Sequence, residues 1–254
     1  MSVHETIEQA LVAPSYLAGG GDPGWVTVPL HRACDWSYGH DPLMPRVILT
    51  SPDQQATLRI DPDPDEPWWT VRHARCGDRP AWSATFDART PVEIIAALTD
   101  ALTAPTPPAP GLEPYDLLRQ AGWHTVGEGL ISPGRIAAIE HYGGEDGPWF
   151  ADARLDQDEG GLIWRAYLSN TTPPHLIAAF AQALADPTPV RRPVGRVPAP
   201  AREHTLTRTV HLPVGDVAFA LEQRVAALSA RRKDATSNTH PPRSPRVPPP
   251  RRTR

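Results

Sequence analysis

Lysine is almost missing from this 254-residue chain: Lys233 is the only one, and arginine supplies the rest of the 25 basic side chains. Cysteine is nearly as scarce, with Cys34 and Cys76 alone, which excludes a disulfide-dense secreted scaffold and makes free thiols the expectation. No stretch approaches the ~20 consecutive apolar residues of a membrane span, so no membrane association is expected. The opening residues, MSVHETIEQALVAP, place acids where an export signal would be basic and hold no apolar run of signal length; a cytoplasmic protein is expected. The GxSxG nucleophile elbow, the HExxH zinc motif and the P-loop are also missing. No catalytic residue and no cofactor follow from the sequence.

Proline is abundant, at 32 residues, and 40% of the chain is hydrophobic, enough for a sizeable core. The net charge of −4 conceals an asymmetry. Residues 191–254 carry 14 basic and 4 acidic side chains, while residues 1–190 carry 11 and 25. A basic arm on an acidic body marks an interaction tail or a solubilising one.

Internal repetition is the clearest signal. Leu49, Ser51, Pro52, Ala56, Asp65, Pro67 and Trp68 recur at an offset of 81 as Leu130, Ser132, Pro133, Ala137, Asp146, Pro148 and Trp149. After one inserted residue, Trp82, Ala84, Thr90, Pro91, Ile95 and Leu102 return at an offset of 82 as Trp164, Ala166, Thr172, Pro173, Ile177 and Leu184. ACDW, ending at Trp36, and QAGW, ending at Trp123, place a short helix or turn ahead of each unit. Six of the eight tryptophans thus fall at paired positions, Trp36/Trp123, Trp68/Trp149 and Trp82/Trp164, and are read as core; a base- or sugar-stacking platform is the sharper alternative.

Within a unit, RVILTS, ATLRI, WWTVRHA and AWSATF are short β-branched and aromatic runs divided by turn residues, so each predicts a strand. GLIS, IAAIEH, PWFADAR and LIWRAYL repeat the plan. A helix follows the strands, beginning TPVE, with Thr90 as N-cap and Glu93 closing a capping box; Val92, Ile95, Leu98 and Leu102 line one face of it. The expected fold is α+β, two tandem units that are each an antiparallel four-stranded sheet followed by one packed helix. The boundaries read as an N-terminal helix and connector over 1–35, a first unit over 36–107 and a second over 112–189. A Pro/Arg linker then covers 190–205, a strand and amphipathic helix 206–231, and a disordered basic tail 232–254. That last helix places Val217, Leu221, Val225 and Leu228 on one face and should dock on the body or on another chain.

WVTVPLHRACDWSYGHDPLMPRVILTSPD, PWWTVRHA and TPVEIIAALTDAL resemble the actinobacterial domain-of-unknown-function family numbered 317, over roughly residues 14–190. The resemblance implies an actinobacterial host and a tandem architecture. It supplies no activity, ligand or catalytic residue.

Three stretches invite chemical readings. DPDPDEPWW, from Asp61 to Trp69, alternates acids as a calcium loop does, but its sixth position is Glu66 instead of glycine and its twelfth is Arg72. It reads as a proline-stiffened turn between strands. GGGDPG, Gly19 to Gly24, matches the dinucleotide fingerprint in letters only, because WVTV after it reads as a strand where a helix is required. HRAC and HARC give His31, Cys34, His73 and Cys76, a candidate two-Cys, two-His zinc set, with structural or exposed roles the favoured reading.

In the tail, Arg231, Arg232, Lys233, Arg243, Arg246, Arg251, Arg252 and Arg254 are candidate phosphate contacts that would not read sequence. The repeated residues are turn, cap and core types, so the expectation is a non-enzymatic binding module with a protein partner. A DNA-associated accessory protein acting through its tail is the second reading, and an enzyme with a site at the junction of the two units the third.

Overall fold

The computed structural model describes residues 6–40, 45–63, 66–104, 113–144, 147–155 and 161–238. It is an α+β protein with two antiparallel sheets. The chain opens with a strand, β1 (Thr6–Ala13), followed by a 3-10 turn at Ser15–Leu17. The first unit comprises α1 (Gly24–Cys34), β2 (Ser37–His40), β3 (Val47–Thr50), β4 (Ala56–Ile60), β5 (Trp69–His73), β6 (Trp82–Phe86) and α2 (Val92–Leu102). The second repeats this order with α3 (Pro114–Gln120), β7 (His124–Val126), β8 (Gly129–Ile131), β9 (Ala137–His141), β10 (Trp149–Arg154), β11 (Leu162–Leu168) and α4 (Pro174–Ala185). The chain finishes with β12 (Val190–Pro193), a 3-10 turn at Ala199–His204, β13 (Leu206–Pro213) and α5 (Val214–Asn238).

The eight strands read from the repeat all form. Each unit gains a fifth, β2 and β7, and the units do not keep separate four-stranded sheets. Instead β6 pairs antiparallel with β11, with Ala84 opposite Leu168, Thr85 opposite Tyr167 and Phe86 opposite Ala166. The result is one ten-stranded sheet in the order β2-β3-β4-β5-β6-β11-β10-β9-β8-β7, with a pseudo-two-fold axis through Thr85 and Tyr167. Pairing covers the β6 and β11 edges that separate units would leave open, and β2 and β7 remain the edges of the joined sheet. Helices cover one face in the order α1-α2-α4-α3, with α5 laid outside α1. Ile94, Ile95 and Leu98 of α2 and Leu176, Phe180 and Leu184 of α4 are fully or nearly fully buried with Leu58, Val71, Ala84 and Leu168 of the sheet. Phe86 of one unit packs on Phe180 of the other at 6.1 Å between ring centres.

The hairpin serines explain one repeated phrase. Ser51 Oγ accepts the Ala56 N–H at 2.8 Å, and Ser132 Oγ accepts the Ala137 N–H at 3.0 Å. Gln54 and Arg135, 81 residues apart, both take left-handed backbone in these turns, at φ of 59° and 57°. The repeated residues there hold turn geometry.

Several local expectations are corrected. Residues 6–13 form the middle strand of a second sheet, β12-β1-β13, where the sequence predicts a helix; eight residues of ordinary helix propensity yield to pairing on both edges. WVTV lies in α1: Val26, Leu30, Ala33 and Cys34 are buried at helical spacing, and Asp22 accepts the Gly24 N–H at 2.8 Å. Residues 190–205 are not a linker, because β12 pairs with β1 and the Arg192 side chain is 3% exposed. Thr90 does not cap α2. The Val92 N–H instead bonds the Gly20 carbonyl at 2.7 Å, and Glu93 turns to Arg192.

The tryptophan pairing also shifts by one. Ile60 faces Trp69 in the first unit and His141 faces Trp149 in the second, so Trp69 is the structural counterpart of Trp149. Trp69 is 1% exposed, whereas Trp68 is only partly buried. A shift of one residue moves a strand side chain to the opposite face.

Candidate partner-binding face

Among the described residues, no helix lies on the second face of the ten-stranded sheet. Cross-strand neighbours share a face, so pairing registers trace what lies on it. One row runs Arg59, Thr70, Thr85, Tyr167, Phe150, Glu140. Beside it lie Thr57, Arg72 and Ser83 in the first unit and Arg165, Asp152 and Ala138 in the second. The pseudo-two-fold axis relates Arg59 to Glu140, Thr70 to Phe150, Thr85 to Tyr167 and Arg72 to Asp152. On the helix-covered face the same operation relates like to like: Ala84 to Ala166, Trp82 to Trp164, Trp69 to Trp149 and Ala56 to Ala137. These four core pairs are identical in the two copies, whereas on the second face Arg59/Glu140 and Arg72/Asp152 reverse charge and Thr85/Tyr167 gains an aromatic.

The aromatic half is ordered by edge-to-face contacts. Phe150 and Tyr167 stand 5.3 Å apart at 60°, and Tyr142, 63% exposed, meets Phe150 at 6.3 Å and 87°, geometry favoured by the ring quadrupoles. Asp152 pairs with Arg154 at 2.6 Å, while Arg165 is exposed and donates its N–H to Asp87 at 2.8 Å. Burial pushes the Asp87 carboxyl above the usual range, opposed by the Arg165 N–H and guanidinium. A shallow basin of about 580 Å³ opens beside Phe150, floored by Ala138 and rimmed by Glu140, Asp152, Arg154 and His204. A flat face combining tyrosine, phenylalanine and arginine has the side-chain types enriched at protein interfaces.

The sequence candidates are scattered. Cys34 is buried and Cys76 exposed at a hairpin tip; burial raises the Cys34 thiol above its usual range. The His31 Nδ1 lies 2.8 Å from the Trp36 carbonyl, and the His73 Nδ1 lies 2.7 Å from the Ala74 carbonyl with its ring stacked on Trp82. Only Cys34 and His73 of the zinc set line a common depression. Among the described residues no three of His, Cys, Asp and Glu gather in a manner fit to hold a metal.

The glycine loop does precede a helix, contrary to its reading, but the chain itself fills it. A Cβ at Gly20 would stand 2.4 Å from the Ala88 carbonyl oxygen, and one at Gly21 would press on Val92 and Arg192. Its glycines serve internal close approach, and a pyrophosphate has no place there. Of the basic candidates, Arg232 turns inward to the Ala33 carbonyl at 2.7 Å and to Asp35 at 3.3 Å. Arg231 and Lys233 are exposed; Arg243, Arg246, Arg251, Arg252 and Arg254 lie outside the described residues.

The junction between the units holds a groove of about 800 Å³ between α2 and α4, lined by Ala97, Ala101, Ala179 and Ala183. Its acids are engaged: Glu93 with Arg192, and Asp100 with Arg224 at 2.7 and 2.9 Å. The Asp100 carboxyl is nonetheless raised, because burial outweighs the arginine.

The open row was not legible in one sequence, because its two-fold-related residues lie 80 to 82 positions apart in unequal steps that only the pairing registers fix. Among the described residues no helix is long and apolar enough to cross a membrane. No curated protein and no solved structure matches the chain. The family model for SPDY, a domain of unknown function (DUF317), matches residues 50–108 and 131–190, so the two units, from the end of β3 through α2 and from the end of β8 past α4, are tandem copies similar to that domain.

Proposed function

We propose that the chain is a cytoplasmic, non-enzymatic binding module of an actinobacterial cell that engages a protein partner through the open face of its sheet. The observation that carries this reading is the divergence of Thr85, Arg59 and Arg72 from Tyr167, Glu140 and Asp152 at two-fold-related positions outside the buried core. Partly exposed Phe150 and Tyr167 and exposed Tyr142 beside charges of both signs fit a protein surface with its own mixed charge better than a polyanion. The test is affinity capture from the native host with the full chain and with a Phe150→Ser, Tyr167→Ser double variant. A partner retained by the first and lost by the second is the expected result; equal capture by both removes the open face from the proposal.

The charge asymmetry supports a second reading, a DNA-associated accessory protein using its basic tail. Nucleic-acid binding of that kind weakens steeply between low and moderate salt and disappears on deletion of residues 232–254. Turnover of a small molecule by the purified chain would favour the third reading, an enzyme with its site in the groove between α2 and α4.

A further inference from the structure

Four of the exposed large apolar side chains among the described residues fall within fourteen positions: Leu206 at 81% exposure, Val214 at 42%, Val217 at 39% and Phe219 at 59%. They flank β13, which pairs with β1 on one side and, among the described residues, carries no partner strand on the other. Arg208, Thr209 and His211 are exposed with it, and the first two turns of α5 stand clear of α1, since burial begins only at Val225. An eight-residue open edge, roughly 27 Å long at 3.4 Å per residue, bordered by apolar groups at both ends, is a template for another strand.

We infer that this edge is a homodimer interface, β13 pairing antiparallel with β13 of a second copy about a two-fold axis through Thr209. The sequence of the strand selects this occupant. Placing Thr209 opposite itself sets Leu206 opposite the second copy's Leu212 and Arg208 opposite its Val210, so an aliphatic pair and a threonine pair form and no like charges face each other. A shift by one residue would set Arg208 against His211.

In the favoured register, Leu206 also approaches the second copy's Val214, the start of α5. One operation therefore covers both apolar ends of the patch, which a bound peptide strand covering the edge alone would not do. The chain already uses this mode once, joining β6 to β11 antiparallel about a pseudo-two-fold with helices packed across the joint. An isologous contact of this kind uses the β13 edge of both copies and closes on itself. The result is a six-stranded sheet, β12-β1-β13 continued through the axis.

Sedimentation of the full chain over about 1–100 µM tests the assignment. A species of twice the 27.7 kDa chain mass is expected to accumulate across that range. Thr209→Lys, which sets two like charges on the axis, and Leu206→Glu are each expected to reduce the dimer at least tenfold while leaving the far-UV circular dichroism of the folded chain unchanged. Thr209→Cys in a Cys76→Ser background is expected to form a disulfide-linked dimer on mild oxidation, because directly opposed strand residues lie within disulfide reach. A chain monomeric at 100 µM, a dimer indifferent to both charge substitutions, or a Thr209→Cys chain that stays monomeric under oxidation would each overturn the inference. The open face takes no part in this contact, so partner capture by the Phe150, Tyr167 pair is scored independently.

Discussion

Arg192 and Glu93 meet in a two-pronged ion pair, 2.7 Å at each prong, with the arginine side chain 3% exposed and the glutamate 29%. The same guanidinium donates to the Gly19 carbonyl at 2.9 and 3.2 Å. One side chain thus fastens β12, the glycine loop and the N-terminus of α2. Arg192→Ala strands a partly buried carboxylate and two carbonyl contacts, and is expected to lower stability by about 3 kcal/mol. Glu93→Gln keeps a hydrogen bond and should lose about 1 kcal/mol. Urea unfolding of the two variants checks the order.

Trp69 and Trp68 are adjacent, yet only Trp69 points into the core. Trp69→Ala is expected to destabilise by roughly 3–5 kcal/mol, as large-to-small core changes do, and Trp68→Ala by about 1 kcal/mol or less. Chemical denaturation separates them. Equal effects would mean that the turn places the strand one residue out of the register described.

The shift of one residue shows where the sequence ceases to speak. Strand identity was legible because β-branched and aromatic runs recur in both copies and turns separate them. Which of Trp68 and Trp69 faces inward depends on the number of residues in the intervening turn, and the two copies differ there. The N-terminal strand and β12 were not legible, because TIEQALVA and VRRP have no strand pattern of their own and become strands by pairing across about 180 residues of chain. Arg192 looked like part of a charged linker for the same reason: its partner, Glu93, is 99 positions away. The open face was invisible because divergence between two copies has meaning only after the pairing registers say which residues correspond.

Thr90 Oγ1 is buried without a hydrogen-bond partner, whereas its counterpart Thr172 lies 3.2 Å from Ser169 Oγ. Thr90→Val removes an unsatisfied hydroxyl at constant shape and should raise stability by roughly 1 kcal/mol. Thr172→Val breaks a formed contact and should lower it by a similar amount. Paired thermal melts of the two variants, at positions related by the pseudo-two-fold, are expected to move in opposite directions.

Asp87 gives a pH signature. Its carboxyl titrates above the unfolded value of about 3.9 because burial disfavours the charge. The folded chain therefore holds a proton on this group over a range where the unfolded chain has lost it, and stability from Asp87 is present at low pH and lost as pH rises through the folded value. Relative to Asp87→Asn, the parent chain is expected to gain stability as pH falls from 7 toward 4. Urea titrations of both chains at pH 7, 6, 5 and 4 give the difference directly, and a constant difference would count against the burial of this carboxyl.

The pseudo-two-fold joint at Thr85 and Tyr167 also bears on how such a surface could arise. Two separate copies meeting at the same edges would have to present identical outer rows, so a change that suited one half of a partner would be imposed on the other half as well. Covalent fusion lifts that constraint. Once both copies lie in one gene, Arg59 and Glu140 can take opposite charges, and Thr85 and Tyr167 can differ across the axis, while the shared joint keeps Ala84 and Ala166 alike. The fused sheet is thus a symmetric frame on which an asymmetric face can evolve.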